Sequence, residues 1–220
     1  KGRVLIVAGS DSGGGAGIQA DVKTVTALGG YCGTAITVLT AQDTKSVTKI
    51  EPVSVDMVVR QMHMMLNDIG VDCIKMGMLY SHDIIEAVTD VIDAKAADIP
   101  LVVDPVFVAK SGDRLLKEDA LQAFTMRLIL RASIITPNIP EAEVLSGIAV
   151  KTSEDMVRAA RIIHDQGVPA VLLFGVPSDK DDMGTEAYAN HGIIQEATAV
   201  GLVLSHNGLR VPRAVPLNML

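Results

Sequence analysis

The residues of this chain best suited to chemistry stand where short apolar runs end. The first run, Val4 to Ala8, passes into Gly9-Ser10-Asp11-Ser12-Gly13-Gly14-Gly15-Ala16-Gly17 and then into Ile18-Gln19-Ala20-Asp21. A glycine-rich stretch from Gly9 onward lets the backbone approach a ligand closely; it serves equally as a strand-to-helix turn that needs glycine's permissive dihedrals. Neither common nucleotide loop fits. A dinucleotide fingerprint built on Gly13 and Gly15 requires glycine where Ile18 stands, and a phosphate loop requires a Gly-Lys-Ser/Thr that is absent. Asp21, early in the helix that follows, can accept hydrogen bonds from a small molecule held at the loop, or it can stabilise the helix N-terminus. Gln42 follows the run Ala35 to Thr40 and carries donors and an acceptor that suit the polar edge of a small flat heterocycle. An exposed polar strand end is the plainer account.

Three further strand ends raise similar choices. Lys75-Met76-Gly77-Met78-Leu79 sets a glycine between two flexible thioethers, which can cover a flat ring, although methionine more often fills core. Val103-Asp104-Pro105-Val106 ends an apolar strand in a carboxylate. Burying that carboxylate alone is costly, so Asp104 calls for a partner such as a cation or an amide, magnesium among them. In Thr136-Pro137-Asn138-Ile139-Pro140-Glu141 an amide and an acid stand three apart. Their oxygens can hold magnesium directly or through water, or they can start a helix with Asn138 as N-cap and Glu141 completing a capping box.

The elements that must position these groups follow from hydrophobic patterning. Candidate buried strands lie at Val4 to Ala8, Ala35 to Thr40, Cys73 to Met78, Leu101 to Val106, Ser133 to Thr136 and Ala170 to Phe174. Between them Ile18 to Leu28, Val55 to Leu66, Asp83 to Ile92, Ala120 to Ile129 and Asp155 to His164 repeat apolar residues at helical intervals. Alternation of this kind predicts an α/β fold with a mainly parallel sheet, helices on both faces and ligands at the carboxyl ends of strands. No repeat or long linker interrupts it, so the 220 residues read as one domain, with the pattern weakening beyond Val176.

Composition narrows the function. A formal net charge of −7 argues against a general nucleic-acid binder, because phosphate-backbone affinity needs a basic surface. Hydrophobic residues make up 49% and aromatics 3%, so the core is built from Val, Ile, Leu, Ala and Met, as buried parallel strands favour. Cys32 and Cys73 suit neither a disulfide framework nor a zinc site, and His63, His82, His164, His191 and His206 show no metal spacing. A reducing cytosol is the simplest setting. The apolar run after Lys1-Gly2-Arg3 is too short for a signal segment or a membrane span.

Taken together, these motifs resemble the hydroxymethylpyrimidine/phosphomethylpyrimidine kinases of the ribokinase-like superfamily. Ala8 to Asp21 is similar to that family's opening signature. Leu39-Thr40-Ala41-Gln42-Asp43-Thr44, Lys75 to Leu79, Val103 to Gly112 and Thr136 to Ala142 follow in the family's order. The resemblance implies a ribokinase-like three-layer sandwich with a mainly parallel central sheet and helices on both faces. It implies a pyrimidine pocket lined by Gly9, Asp21, Gln42, Met78 and Val106, with Asp21 and Gln42 reading the aminopyrimidine. Asp104 and Glu141 would lie near magnesium-bound phosphates, Glu141 as the metal residue, with Asn138 in the same neighbourhood. ATP and magnesium, a cytoplasmic homodimer, and two successive phosphorylations in thiamine biosynthesis are implied with it.

The likeness stops at about Leu173. Phe174 stands where the family carries a lysine before two glycines, and the family's Gly-Thr-Gly-Cys segment has no counterpart, so no catalytic residue is assigned. An aromatic ring cannot supply the positive charge that steadies phosphates. Substrate-side motifs are intact while everything from Phe174 onward departs together, which fits a frame change or truncation after about Leu173 better than a gradual loss of the catalytic end. The rivals are a pyridoxal or pyridoxine kinase and a non-catalytic pyrimidine-binding remnant. Sequencing the coding DNA is expected to show a shifted frame that restores the Lys-Gly-Gly and Gly-Thr-Gly-Cys segments; its absence rules the frame change out.

Overall fold

Alternate residues of the first strand face opposite sides of a sheet, and each side is covered by a helix. In the computed structural model, which describes residues 2–107, 118–175, 202–205 and 208–210, β1 runs Arg3–Asp11 and continues through a glycine-rich loop into α1, Gly17–Ala27. Ile6, Ala8 and Ile18 form a buried cluster with Val4, Val25, Cys32 and Ile36, so the even-numbered side of β1 faces α1. Leu5 and Val7 lie on the other side. There Gly33 of β2 (Tyr31–Gln42), the register partner of Leu5, leaves room for Met65. The predicted helices on both faces of the sheet are therefore present in this part of the chain.

The chain divides into two compact units, Lys1–Ser133 and Ile134–Leu220. In the first, the strand order is β3-β2-β1-β4-β5, where β3 is Val47–Pro52, β4 Cys73–Met76 and β5 Leu101–Val103. The pairs β1–β2, β1–β4 and β4–β5 are parallel, and β3 adds an antiparallel margin to β2. Helix α2, Val55–Met64, is capped by Ser54 and passes into a π-helical turn, Met65–Ile69, which brings Met65 over Gly33. Helix α3, His82–Lys95, and helix α4, Glu118–Ala123, belong to the same unit. A second π-helical turn, Phe124–Leu128, and a 3-10 turn, Ile129–Arg131, extend α4. They present Arg127 and Arg131 to Glu86, Asp90 and Asp93 of α3.

The second unit orders its strands β6-β7-β8-β9: Ile134–Ile135, Ala170–Leu173, Leu202–Ser205 and Gly208–Arg210. Here β6 and β7 are parallel, whereas β8 and β9 extend the sheet antiparallel. Its helices are α5, Ile139–Ser146, and α6, Ser153–Asp165, each opened by a capping box.

Several predicted boundaries move for identifiable reasons. The strands expected to reach Met78 and Val106 stop at Met76 and Val103, and Pro105, which has no amide hydrogen, cannot extend the second of them. The run expected to reach Phe174 ends at Leu173, and Phe174 makes only an isolated bridge to Asn138. Strand β3 was not among the predicted elements, nor were β8 and β9, which fall in the stretch where the pattern weakens. Cys32 and Cys73 pair with Val4 from either side, about two strand spacings (~9.5 Å) apart and beyond disulfide reach, and burial raises both thiols. No helix among the described residues is long and apolar enough to cross a membrane.

Two glycines are required by geometry. Gly17 opens α1 with φ +55°, and a side chain there would overlap the Gly9 carbonyl oxygen. Gly9 stands at the register shift between β1 and β2, where an added Cβ would lie 2.8 Å from Val38 Cγ2. Gly17→Ala is expected to destabilise the protein by at least about 2 kcal/mol, from the left-handed conformation and the backbone clash combined. Thermal unfolding beside wild type checks this, and an unchanged Tm would show that the loop relaxes freely.

Candidate active site

The loop between β1 and α1 is organised by a residue that spacing did not single out. The Asp11 carboxylate, 5% exposed, accepts hydrogen bonds from the backbone amides of Gly13 (2.7 Å), Gly15 (3.0 Å) and Ala16 (2.8 Å). Its own amide donates to Gln19 Oε1 (2.8 Å), and Gln19 Nε2 donates to Ser10 Oγ (2.8 Å). Loop amides of the kind that would cradle an incoming anion are thus engaged by the protein's own carboxylate. This agrees with the missing phosphate-loop signature and leaves the loop to place α1.

Helix α1 carries Asp21 over the carboxyl end of the sheet, where it meets Lys75 of β4. Lys75 Nζ lies 2.9 Å from Asp21 Oδ2 and 3.4 Å from Asp104 Oδ2. All three side chains keep partial exposure, from 21% at Asp21 to 31% at Asp104. The partner of Asp104 in this structure is therefore a lysine, and Asp21 accepts a hydrogen bond from the same ammonium. Loss of water around Asp104 raises its carboxyl above the usual range, opposed by the charge and hydrogen bond of Lys75 and reinforced by the negative Asp21.

Apolar surface completes this end of the sheet. The Gly9 backbone passes beside Met78, whose sulfur would be 3.7 Å from a Cβ at Gly9. Buried Thr37 donates from Oγ1 to the Met78 carbonyl at 2.6 Å, fixing the chain just after β4. Met76 is wholly buried and Met78 partly exposed, so only one of the two thioethers is available to a ligand. The Val106 amide donates to the Asp104 carbonyl (2.9 Å), which puts Val106 and Asp104 on one tight turn. Gln42 is half-buried and tied to the loop by reciprocal 2.8 Å bonds between its backbone and Ser12 Oγ. Its Oε1 accepts from Thr40 Oγ1 at 3.2 Å.

Asn138 and Glu141 belong to the second unit, where they form the capping box of α5. Asn138 Oδ1 accepts from the Glu141 amide and Glu141 Oε2 from the Asn138 amide, each at 2.9 Å. Glu141 is 4% exposed. Of the two accounts open at these residues, the helix start is therefore realised. Among the described residues no group of three or more His, Cys, Asp or Glu side chains is placed to hold a metal ion. Phe174, whose amide donates to the Pro137 carbonyl (3.1 Å), is 41% exposed. Most of the divergent stretch that follows Phe174 lies outside the described residues.

A mainly parallel sheet flanked by helices is the fold of the ribokinase-like kinases, and comparison with known proteins bears out that fold. A crystal structure of phosphomethylpyrimidine kinase from Clostridium difficile 630 superposes with a TM-score of 0.81 at 36% identity, covering 98% of this chain and 86% of that one. An ADP complex of Bacillus subtilis pyridoxal kinase gives 0.78 at 32% identity, covering 97% and 75%. Residues 11–200 match the family described as phosphomethylpyrimidine kinase, and the chain belongs to that family. The match extends past Phe174. The Haemophilus influenzae hydroxymethylpyrimidine/phosphomethylpyrimidine kinase is 44% identical over 176 residues, which cover 79% of this chain and 64% of that relative's length.

The sign of the Asp104 effect is testable. Its folded carboxyl holds a proton to higher pH than the unfolded one, so it reduces stability progressively as pH rises from about 4 through the folded value. Asp104→Asn is expected to raise Tm at pH 7 relative to wild type, with the gap closing near pH 4. A lower Tm at pH 7 would mean that the contact with Lys75 outweighs desolvation.

Proposed function

We propose that this chain forms an ATP-dependent phosphotransferase domain acting on 4-amino-5-hydroxymethyl-2-methylpyrimidine and on its monophosphate, as a step of thiamine biosynthesis. The observation that carries this reading is the grouping of Gly9, Asp21, Met78, Asp104 and Val106 around the ends of β1, β4 and β5, with Gln42 fastened to the adjoining loop. Family membership supports it. In this reading Asp21 and Gln42 hold the amino and ring nitrogens while Gly9, Met78 and Val106 bound the ring. The hydroxymethyl oxygen is then aimed at the γ-phosphorus of ATP for in-line transfer, in which catalysis comes from positioning and from neutralising phosphate charge.

Magnesium enters with the nucleotide as part of the substrate. A cation of this kind is held by one or two carboxylates plus phosphate oxygens rather than by a cage of protein ligands. Asp104, Asn138 and Glu141 are the residues we assign to the magnesium and phosphate neighbourhood, where Glu141 would be the metal residue. A cytoplasmic homodimer without nucleic-acid partners completes the proposal.

Pyridoxal kinase activity is the second reading, favoured by the likeness to the Bacillus subtilis enzyme. Assays of the chain with ATP and magnesium, on the aminopyrimidine and on pyridoxal, with a binding titration alongside, separate the two. We expect binding of the aminopyrimidine in preference to pyridoxal. Preference for pyridoxal would overturn the assignment, and binding without turnover would make the chain a pyrimidine-binding remnant.

A further inference from the structure

Lys75 is oddly placed for a residue whose only task is stability. It stands on β4 between Ile6 of β1 and Val102 of β5, on the α1 side of the sheet, with most of its side chain out of water. An apolar residue would pack there without cost, whereas taking an ammonium and two carboxylates from water is seldom repaid by their attraction. The trio also carries a net negative charge, since one ammonium faces both Asp21 and Asp104. Room for it is built in: a Cβ on Gly77 would lie 3.2 Å from Lys75 Nζ and 3.1 Å from Ala8 Cβ, so a side chain at 77 would crowd the ammonium.

We infer that Lys75 is a positioning residue for the proposed phosphoryl transfer: its ammonium, shared between Asp21 and Asp104, holds the substrate-side and the phosphate-side carboxylates at a fixed separation. This rests on the kinase reading above and adds to it a residue that touches both halves of the reaction. Without Lys75 the two carboxylates have no common cation between them and repel each other. Asp21 is then free to turn from the ring it should orient, and Asp104 to drift from the phosphates.

The experiment compares Lys75→Met and Lys75→Arg with wild type by steady-state kinetics on the hydroxymethyl aminopyrimidine, with thermal unfolding as the check on folding. Lys75→Met is expected to raise KM and lower kcat, each by about 10- to 100-fold, the range for losing charge-assisted hydrogen bonds. Lys75→Arg, which keeps a cation, should stay within about tenfold of wild type in both. In an Asp104→Asn background the kcat effect of Lys75→Met should largely vanish while the KM effect, exerted through Asp21, persists. Equal kinetics for the Met and Arg variants would overturn the proposal.

A readout free of substrate separates failure of this inference from failure of the kinase reading. In ligand-free protein the carboxyl carbon resonances of Asp21 and Asp104 should both shift in Lys75→Met. Should that variant not fold, Asp104→Asn should move the Asp21 resonance through the shared ammonium. An Asp104 signal unmoved in Lys75→Met, or an Asp21 signal unmoved in Asp104→Asn, overturns the inference. If wild type neither binds nor phosphorylates the pyrimidine, the kinase reading fails and the carboxyl spectra alone decide the matter of the lysine.

Discussion

The Asp11 carboxylate, closed over three backbone amides, is the interaction from which the site follows. It turns a run of glycines and small residues into one defined path, so that β1 ends and α1 begins at a set angle. Gln19 reinforces the junction from the helix side. The angle of α1 in turn decides where Asp21 hangs over the sheet, and Asp21 decides where the Lys75 ammonium rests. A glycine-rich loop is often read as a hand for an anion; in this protein the hand is already closed, and its use is to aim a helix.

Much of the fold was legible because buried parallel strands and amphipathic helices write strong periodicities. What escaped has physical causes. Strand β3, Val-Thr-Lys-Ile-Glu-Pro, lies at a sheet margin with most of its residues exposed, so it carries no clear alternation. The π-helical turns after α2 and α4 keep helical composition, and nothing local in sequence distinguishes a widened turn from a regular one. Asn138 and Glu141, by contrast, were legible as a capping box because that motif is fixed by spacing alone.

The candidate site divides along the same line. Asp21, early in a helix, and Gln42, Met78 and Asp104, at strand ends, were singled out by residue type, and the need of Asp104 for a partner, a cation or an amide, was foreseen from burial energetics. That the cation is Lys75 was not, because the pairing depends on the β1–β4–β5 register rather than on sequence spacing. Asp11 was passed over because its surroundings of serine and glycine look like any turn. Its role appears only when the donors around it are counted: a carboxylate so well enclosed must have amides aimed at it.

The loop and the site also differ in when they can exist. The amides that close on Asp11 lie two to five residues away along the chain, so forming that loop costs little closure entropy. Asp21 and Lys75 are 54 residues apart, and Asp104 lies beyond both. Their meeting must wait until β4 and β5 have joined β1, which places it among the slow, non-local events of folding. A nascent chain still short of β5 would own a finished loop and no site. The Asp21–Lys75–Asp104 contact is thus a record that α1, β4 and β5 have come together.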